Sequence, residues 1–416
     1  MKPLTSAIKL SYLKTFLIFM AFMLIFHTGN AQSFQFSGTR QKDVVNFTLI
    51  KNLIIIPVYI NEKGPFNFIL DTGVGPMIIS DPSLADSLKI KDLRTIKIAG
   101  LGKGNEIEAF VSRSISATVG KSFIDQIPTA ILKEDLFRLS SYVGMPIHGL
   151  LGYHFFKSFI VEIKYSSKRM IFFVPELNRK IKGERVPLEM INDKPYALIN
   201  IESSELGKLP LKVLIDNGAS HAVSLEILNE KPFPVPGASI PANLGMGLGG
   251  PISGNIGRIP SLKIGTFELK KVLTSFPKYD EVAGKILLKD RNGNLGADIL
   301  SRFDIVFDYA DNSMYLRRNS NFKRPFEHDM AGMEVYADGP NIDHYFISRI
   351  EPGSPAEISG LEPEDEIAYL NFVPVTTYTL TEINRILRAG DGKSVIITIL
   401  RKGQLHIKLL KLKQRI

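Results

Sequence analysis

Two turns constrain this chain more than any other feature in it. Asp71-Thr72-Gly73 closes the apolar run Phe66-Asn67-Phe68-Ile69-Leu70, and Asp216-Asn217-Gly218 closes the similar run Leu211-Lys212-Val213-Leu214-Ile215, 145 residues later. An apolar run that ends in Asp-x-Gly predicts a buried strand delivering a carboxylate onto a tight turn, with glycine where a side chain would clash. One such turn arises by chance in many loops. Two at a repeating offset predict two carboxylates that meet at a pseudo-two-fold axis and share one proton.

The repeat extends beyond the turns. Gly100-Leu101-Gly102-Lys103-Gly104 lies 29 residues after Asp71, and Gly245-Met246-Gly247-Leu248-Gly249 lies 29 residues after Asp216. Thr118-Val119-Gly120 and Lys263-Ile264-Gly265 keep the 145-residue offset. It then slips to 144: Leu150-Leu151-Gly152 matches Asn294-Leu295-Gly296, and Phe159–Tyr165 matches Phe303–Tyr309. Strand-like runs dominate both copies, so each is expected to be mostly β. Within each, the last two strands (Phe159–Tyr165 with Arg169–Val174 in the first) are expected to close the unit as a hairpin. Polar connectors at Glu176–Glu184 and Asn319–His328 suggest units at 32–178, 179–326 and 327–416. The last matches nothing upstream. It reads as short strands around an amphipathic helix, Thr379–Ala389, with Leu380, Ile383, Ile386 and Leu387 on one face.

Bulk properties narrow the alternatives. A chain of 416 residues implies two to four domains at roughly 100–200 residues each. Residues 1–31 read as a secretory signal: Lys2, Lys9 and Lys14, an apolar run Phe16–Phe26, then Gly29-Asn30-Ala31 as a small-x-small cleavage site. That run is short of the ~20 residues of a spanning helix, so cleavage is favoured over an uncleaved anchor, leaving no stable membrane span. With no cysteine there are no disulfides and no thiolate metal site. An exported chain without disulfides suits a bacterial periplasm or cell surface. The net charge of +9 is interleaved with acids, apart from the tail Lys408–Arg415, and this argues against nucleic-acid binding. The seven histidines show no ligand spacing, so no metal is expected. His148 and His154 read as structural. Ser220-His221 are mere sequence neighbours rather than a nucleophile–base pair. Gly245, Gly247 and Gly250 satisfy G-x-G-x-x-G, but without the strand–turn–helix that dinucleotide binding requires.

The turns, glycine tips and Leu-Gly segments resemble the pepsin–retropepsin aspartic protease superfamily over roughly residues 40–318, and Gly64–Gly73 looks like bacterial retropepsin-like proteases in particular. The resemblance implies two closed β-barrel lobes flanking a cleft, with Asp71 and Asp216 as catalytic residues and no cofactor. It makes Thr72, Gly73, Asn217 and Gly218 the supports of the active-site turns. The tips (Gly100, Gly102, Gly104 and Gly245, Gly247, Gly249) would be flaps over an extended substrate. Retroviral members build the site from two identical chains; here both halves lie in one, so a monomer suffices. Three departures stand out. Asn217 replaces the usual threonine. Val74 and Ala219 follow the glycines without a hydroxyl, which implies a raised pKa for the pair and an optimum from mildly acidic to near neutral. Neither tip carries a tyrosine.

Residues 327–413 resemble a PDZ domain (an α+β fold) of the kind found in bacterial exported proteases, with Glu351-Pro352-Gly353-Ser354-Pro355-Ala356 and Asp365-Glu366-Ile367 in place. Such domains take a C-terminal peptide by strand addition, and by resemblance Ala331-Gly332-Met333 is the carboxylate loop. The expectation is an exported aspartic endopeptidase acting on peptides or unfolded proteins. A non-catalytic periplasmic peptide-binding protein is the alternative, and Asn217 is the one feature that favours it. A third reading makes the PDZ domain the working part and the lobes its scaffold.

Overall fold

The computed structural model describes residues 33–98, 107–177, 179–247, 250–278 and 291–416. In the first copy the labelled strands are β1 (Lys42–Asn46), β2 (Leu53–Ile60), β3 (Lys63–Leu70), β4 (Met77–Ile79), β5 (Arg94–Ile98) and β6 (Ile107–Ser112). They are followed by β7 (Thr129–Leu132), β8 (Gly149–Leu151), β9 (Ile160–Lys164) and β10 (Arg169–Phe173), with short helices α1 (Ser83–Ser87), α2 (Leu139–Val143) and α3 (Tyr153–Ser158). Alternating or continuous apolar residues drive these strands inward: Ile54, Ile56, Val58, Phe68 and Leu70 are all fully buried.

The second copy comprises β11 (Glu184–Pro187), β12 (Lys194–Ser203), β13 (Gly207–Asp216), β14 (Val223–Leu225), β15 (Ser239–Gly247) and β16 (Gly250–Ile264). It continues with β17 (Phe267–Pro277), β18 (Gly293–Gly296), α4 (Ala297–Leu300), β19 (Phe303–Asp308) and β20 (Ser313–Arg318). The duplication holds at the level of register. β3 runs parallel to β8 with Phe68 opposite Gly149, and β13 runs parallel to β18 with Val213 opposite Gly293.

The closing hairpins of the two copies do more than close each lobe. They fuse into one six-stranded sheet in the order β11-β20-β19-β9-β10-β1. At its centre β9 and β19 run antiparallel, with Glu162 opposite Val306. These two positions are equivalent in the repeat, so the pseudo-two-fold passes between them. Phe156 packs on Phe307 and Tyr309 at ring separations of 5.2 and 5.5 Å, inside one apolar core shared by both copies. Each fully buried aromatic there contributes roughly 1.5–3 kcal/mol of apolar burial, which makes the lobe interface a core rather than a hinge.

The C-terminal unit has its own core, including Ala331, Val335, Ile347, Ile367 and Leu380. Its sheet follows the order β21 (Met333–Asp338), β22 (His344–Ile350), β23 (Glu366–Leu370), β24 (Ser394–Arg401), β25 (Gln404–Lys411). Helix α5 (Pro355–Ile358) starts from the Ser354 cap, and α6 (Leu380–Ile386) from a Thr379/Glu382 capping box. The helix expected through Ala389 ends with Leu387 as its C-cap. The fold is thus mostly β, with an α+β PDZ unit. Among the described residues no helix is long and apolar enough to cross a membrane.

Candidate active site

The two Asp-x-Gly turns meet. The Asp71 N–H donates to the Leu151 carbonyl at 2.8 Å, which ties the first turn to β8. Gly152 follows, and a Cβ there would fall 2.1 Å from the Asp71 carbonyl oxygen. In the second copy Gly296 pairs with Asp216, and a Cβ at Gly296 would fall 2.2 Å from the His221 carbonyl oxygen. The Leu-Gly element therefore needs glycine in both copies, because the aspartate turns lie on it.

Thr72 and Asn217 interlock across the pseudo-two-fold, and both are fully buried. The Thr72 N–H donates to Asn217 Oδ1 at 2.7 Å, Thr72 Oγ1 donates to the Ile215 carbonyl at 2.7 Å, and the Asn217 N–H donates to Thr72 Oγ1 at 3.1 Å. Asn217 thus supplies the acceptor that a threonine hydroxyl would supply. Among the described residues its Nδ2 is buried without a partner.

Each glycine amide holds its own carboxylate: Gly73 N–H donates to Asp71 Oδ1 at 2.6 Å, and Gly218 N–H to Asp216 Oδ1 at 3.1 Å. Each glycine also lies against the other copy's carboxylate. A Cβ on Gly73 would be 3.1 Å from both Asp216 Oδ1 and Asp71 Oδ1; one on Gly218 would be 2.2 Å from Asp71 Cγ. The carboxylates approach closely only because neither glycine has a side chain.

The pair is electrostatically unequal. Asp71 is 6% exposed, whereas Asp216 is only half-buried. Burial pushes the Asp71 carboxyl well above the usual range, the neighbouring Asp216 charge pushes the same way, and the Gly73 amide and Lys194 partly oppose them. Lys194, the first residue of β12, is lowered by burial and by Arg291, while the two aspartates hold it up. Tyr309, on the interlobe floor, is raised by burial and then by Asp71.

Asp216 has a partner that Asp71 lacks. Asn294 Nδ2 donates to Asp216 Oδ2 at 3.0 Å, and Asn294 Oδ1 bonds His221 Nε2. An amide NH₂ only donates and its oxygen only accepts, so His221 carries its proton on Nε2 and Asp216 Oδ2 is an acceptor. Both oxygens of Asp216 therefore receive N–H donors. Leu150 occupies the corresponding place in the first copy and offers no such donor. In the sequence Asn294 stands out only as a break in the apolar-apolar-Gly pattern, and His221 only as a neighbour of Ser220. That break is the available signal for the support of Asp216; Lys194 carries none.

The second glycine tip is a long hairpin. Gly245 and Gly247 lie on β15, Gly247 pairs with Gly250 on β16, and a bulge falls between Asn243 and Gly245. Gly249, like Gly100, Gly102 and Gly104, lies outside the described residues. In the C-terminal unit the amides of Gly332 and Met333 both donate to Asp329 Oδ2, the latter at 3.3 Å, and Ala331 accepts from the Ala356 N–H at 2.9 Å. Among the described residues, no group of three or more histidine, aspartate or glutamate side chains is placed to hold a metal.

This geometry agrees with comparison to known proteins. Residues 56–155, which include the first aspartate turn, match the family model for aspartyl proteases, and residues 346–401 match that for a PDZ domain. The chain combines a retropepsin-like aspartyl protease fold with a PDZ domain. Among curated proteins it is similar to the human 26S proteasome non-ATPase regulatory subunit 9, 32% identical over 71 residues, covering 17% of this chain and 32% of that protein. The rat counterpart is 30% identical over 73 residues, covering 17% and 33%. The chain thus spans about a third of the length of these relatives. Among solved structures, a photosystem II D1 C-terminal processing protease is 21% identical with TM-score 0.20, covering 21% of this chain and 23% of that one. The HtrA3 PDZ domain bound to a phage-derived ligand is 13% identical with TM-score 0.18, covering 21% and 86%.

Proposed function

We propose that this chain is an aspartic endopeptidase that hydrolyses peptide bonds in extended peptides or unfolded proteins. Asp71 and Asp216 are its catalytic pair. The observation that carries the reading is the meeting of two Asp-x-Gly turns, locked by Thr72 and Asn217, around one buried and one half-buried carboxylate.

The inequality of the pair supports distinct roles for its members. Asp216, with both oxygens accepting N–H donors, is the ionised base. Asp71, buried and raised, holds the proton. A water between them gives a proton to Asp216 as its oxygen attacks the peptide carbonyl carbon, and Asp71 gives its proton to the carbonyl oxygen. The product is a neutral gem-diol. Its collapse moves the Asp216 proton to the leaving nitrogen and returns a hydroxyl proton to Asp71, so the starting state is restored. The raised Asp71 carboxyl supports an optimum between mildly acidic and neutral pH. Hairpin β15–β16 acts as a flap, and the PDZ unit recruits substrate or regulates the lobes. The leader at residues 1–31 supports export to a bacterial periplasm or cell surface, with the mature chain divided as 32–178, 179–326 and 327–416.

A second reading, a peptide-binding protein with an idle protease fold, draws support from the unpartnered Nδ2 of Asn217. A peptide with a secondary alcohol at the scissile carbon separates the two. It mimics the gem-diol, and a catalytic pair binds it on the order of a hundredfold or more tighter than the parent peptide. Calorimetry should show that preference in the wild type and its loss in Asp216→Asn. Equal affinity for both peptides would favour the binding protein.

A further inference from the structure

The PDZ unit of this chain packs against both protease lobes. Among the described residues β21 pairs only with β22, so its other edge is unpaired, and α6 lies beside it. These are the walls between which a peptide would add as a strand. Helix α2 of the first protease lobe packs against the same strand. Gly144, at its C-terminal end, sits directly on the first turn of α6: a Cβ there would lie 2.8 Å from Leu380 Cβ. At its N-terminal end Arg138 donates to Asp338 Oδ2 at 3.3 Å and stands 5.3 Å from the centre of the Tyr336 ring. The lobe therefore touches β21 near its end and α6 at its start, and it spans the mouth of the groove.

Two further contacts close the opposite end. Glu334 on β21 accepts from Asn243 Nδ2 at 2.9 Å, and Asn243 belongs to the long hairpin of the second lobe. The amides of Gly332 and Met333, which a ligand carboxylate would seek, already hold the carboxylate of Asp329. The same segment also leads toward the catalytic turn. The Tyr142 and Ser220 hydroxyls are 2.8 Å apart, and Ser220 precedes His221, which supports Asn294 against Asp216.

We propose that the groove between β21 and α6 is an internal docking surface filled by residues 138–144, and that its external ligand is an extended peptide with a free C-terminal carboxylate, which binds by displacing that segment. The peptide's carboxylate takes the Gly332 and Met333 amides from Asp329, and its backbone takes the unpaired edge of β21. Release of Glu334 from Asn243 frees the hairpin, and movement of α2 withdraws Tyr142 from Ser220. The consequence for cleavage rests on the protease reading above; the displacement does not.

The test uses residues 32–416 carrying Asp71→Asn, so that no turnover interferes and a chain that cuts nothing can still pass. The probe is a fluorescein-labelled decapeptide ending in valine with a free carboxylate, with its C-terminal amide as control. Apparent affinity falls by the fraction of chains whose groove is open. Arg138→Ala with Asn243→Ala removes both clamps and is expected to tighten binding about tenfold or more. Hydrogen exchange should rise at Leu139–Val143 and Ser239–Gly245 when the unmutated clamp is saturated with probe. The amide control should not bind. Equal affinity with and without the clamps, failure of the unclamped chain to bind the probe, or binding without increased exchange in those segments would each overturn the proposal.

Discussion

Replacing Asn217 by threonine should stabilise the protein. Asn217 is fully buried and makes two useful bonds through groups a threonine retains: its backbone N–H donates to Thr72 Oγ1, and its side-chain oxygen accepts from the Thr72 N–H at 2.7 Å. Its Nδ2 has no partner among the described residues. An unpaired buried donor costs about 1–3 kcal/mol, whereas a hydroxyl in its place can turn its hydrogen toward a carbonyl. Nothing in the backbone opposes the change, since Asn217 is not among the residues with positive φ. The expected gain is about 1–2 kcal/mol, equivalent to roughly 2–6 °C in Tm for a unit of this size. Asn217→Val supplies the control. It has threonine's shape but no acceptor, so the Thr72 N–H loses its partner, and it should fall about 1–3 kcal/mol below Asn217→Thr. The chain has 13 tyrosines and no tryptophan, so urea unfolding is followed by far-ultraviolet circular dichroism or tyrosine fluorescence. A threonine variant less stable than wild type by more than about 1 kcal/mol would show that the amide makes a bond the structure does not contain.

Other consequences follow from the same geometry. Asn294→Leu copies the first lobe's Leu150 and deletes the side-chain donor to Asp216; it should cost roughly ten- to a hundredfold in kcat/KM and move the acidic limb of the pH profile upward, whereas an unchanged profile would remove Asn294 from the site. Asp71, raised in the folded state, holds a proton that the unfolded chain releases, so its contribution to stability is present at low pH and is lost as pH rises toward neutrality. Unfolding free energies should therefore decline by up to about 1.4 kcal/mol per pH unit across that window in wild type, and more shallowly in Asp71→Asn; parallel curves would contradict the raised carboxyl. Tyr165 is 1% exposed and its hydroxyl has no partner among the described residues, so Tyr165→Phe should be neutral or stabilising by about 1 kcal/mol in the same unfolding assay, and a clear loss would show that the hydroxyl is satisfied.

The duplicated plan was legible because glycines and apolar runs mark strand ends, and both copies keep them in step. Phe68 with Gly149 and Val213 with Gly293 turned out to be equivalent pairs. The fused six-stranded sheet was not legible. Its central pairing joins Ile160–Lys164 to Phe303–Asp308, far along the chain, and no local pattern distinguishes a hairpin that closes one lobe from one that also joins two. Helix α2 is five residues between Arg138 and Gly144, both at positive φ, and so too short to show a helical period. The two aspartate turns were visible as motifs, but what makes the two carboxylates unequal was not. Asn294 reaches Asp216 across 78 residues, and His221 acquires its role only through Asn294. Lys194 looks in sequence like an ordinary turn lysine, and only the fold brings its charge to bear on both aspartates.

The role proposed for Asp71 and Asp216 is to hydrolyse peptide bonds together. Its most direct test is cleavage of an unfolded protein by purified residues 32–416 from mildly acidic to neutral pH, beside Asp71→Asn and Asp216→Asn. Wild type is expected to cut, and each single substitution to abolish cleavage while leaving the fold intact by circular dichroism. Cleavage that survives either substitution, or a folded wild type that cuts nothing at any pH, would contradict it.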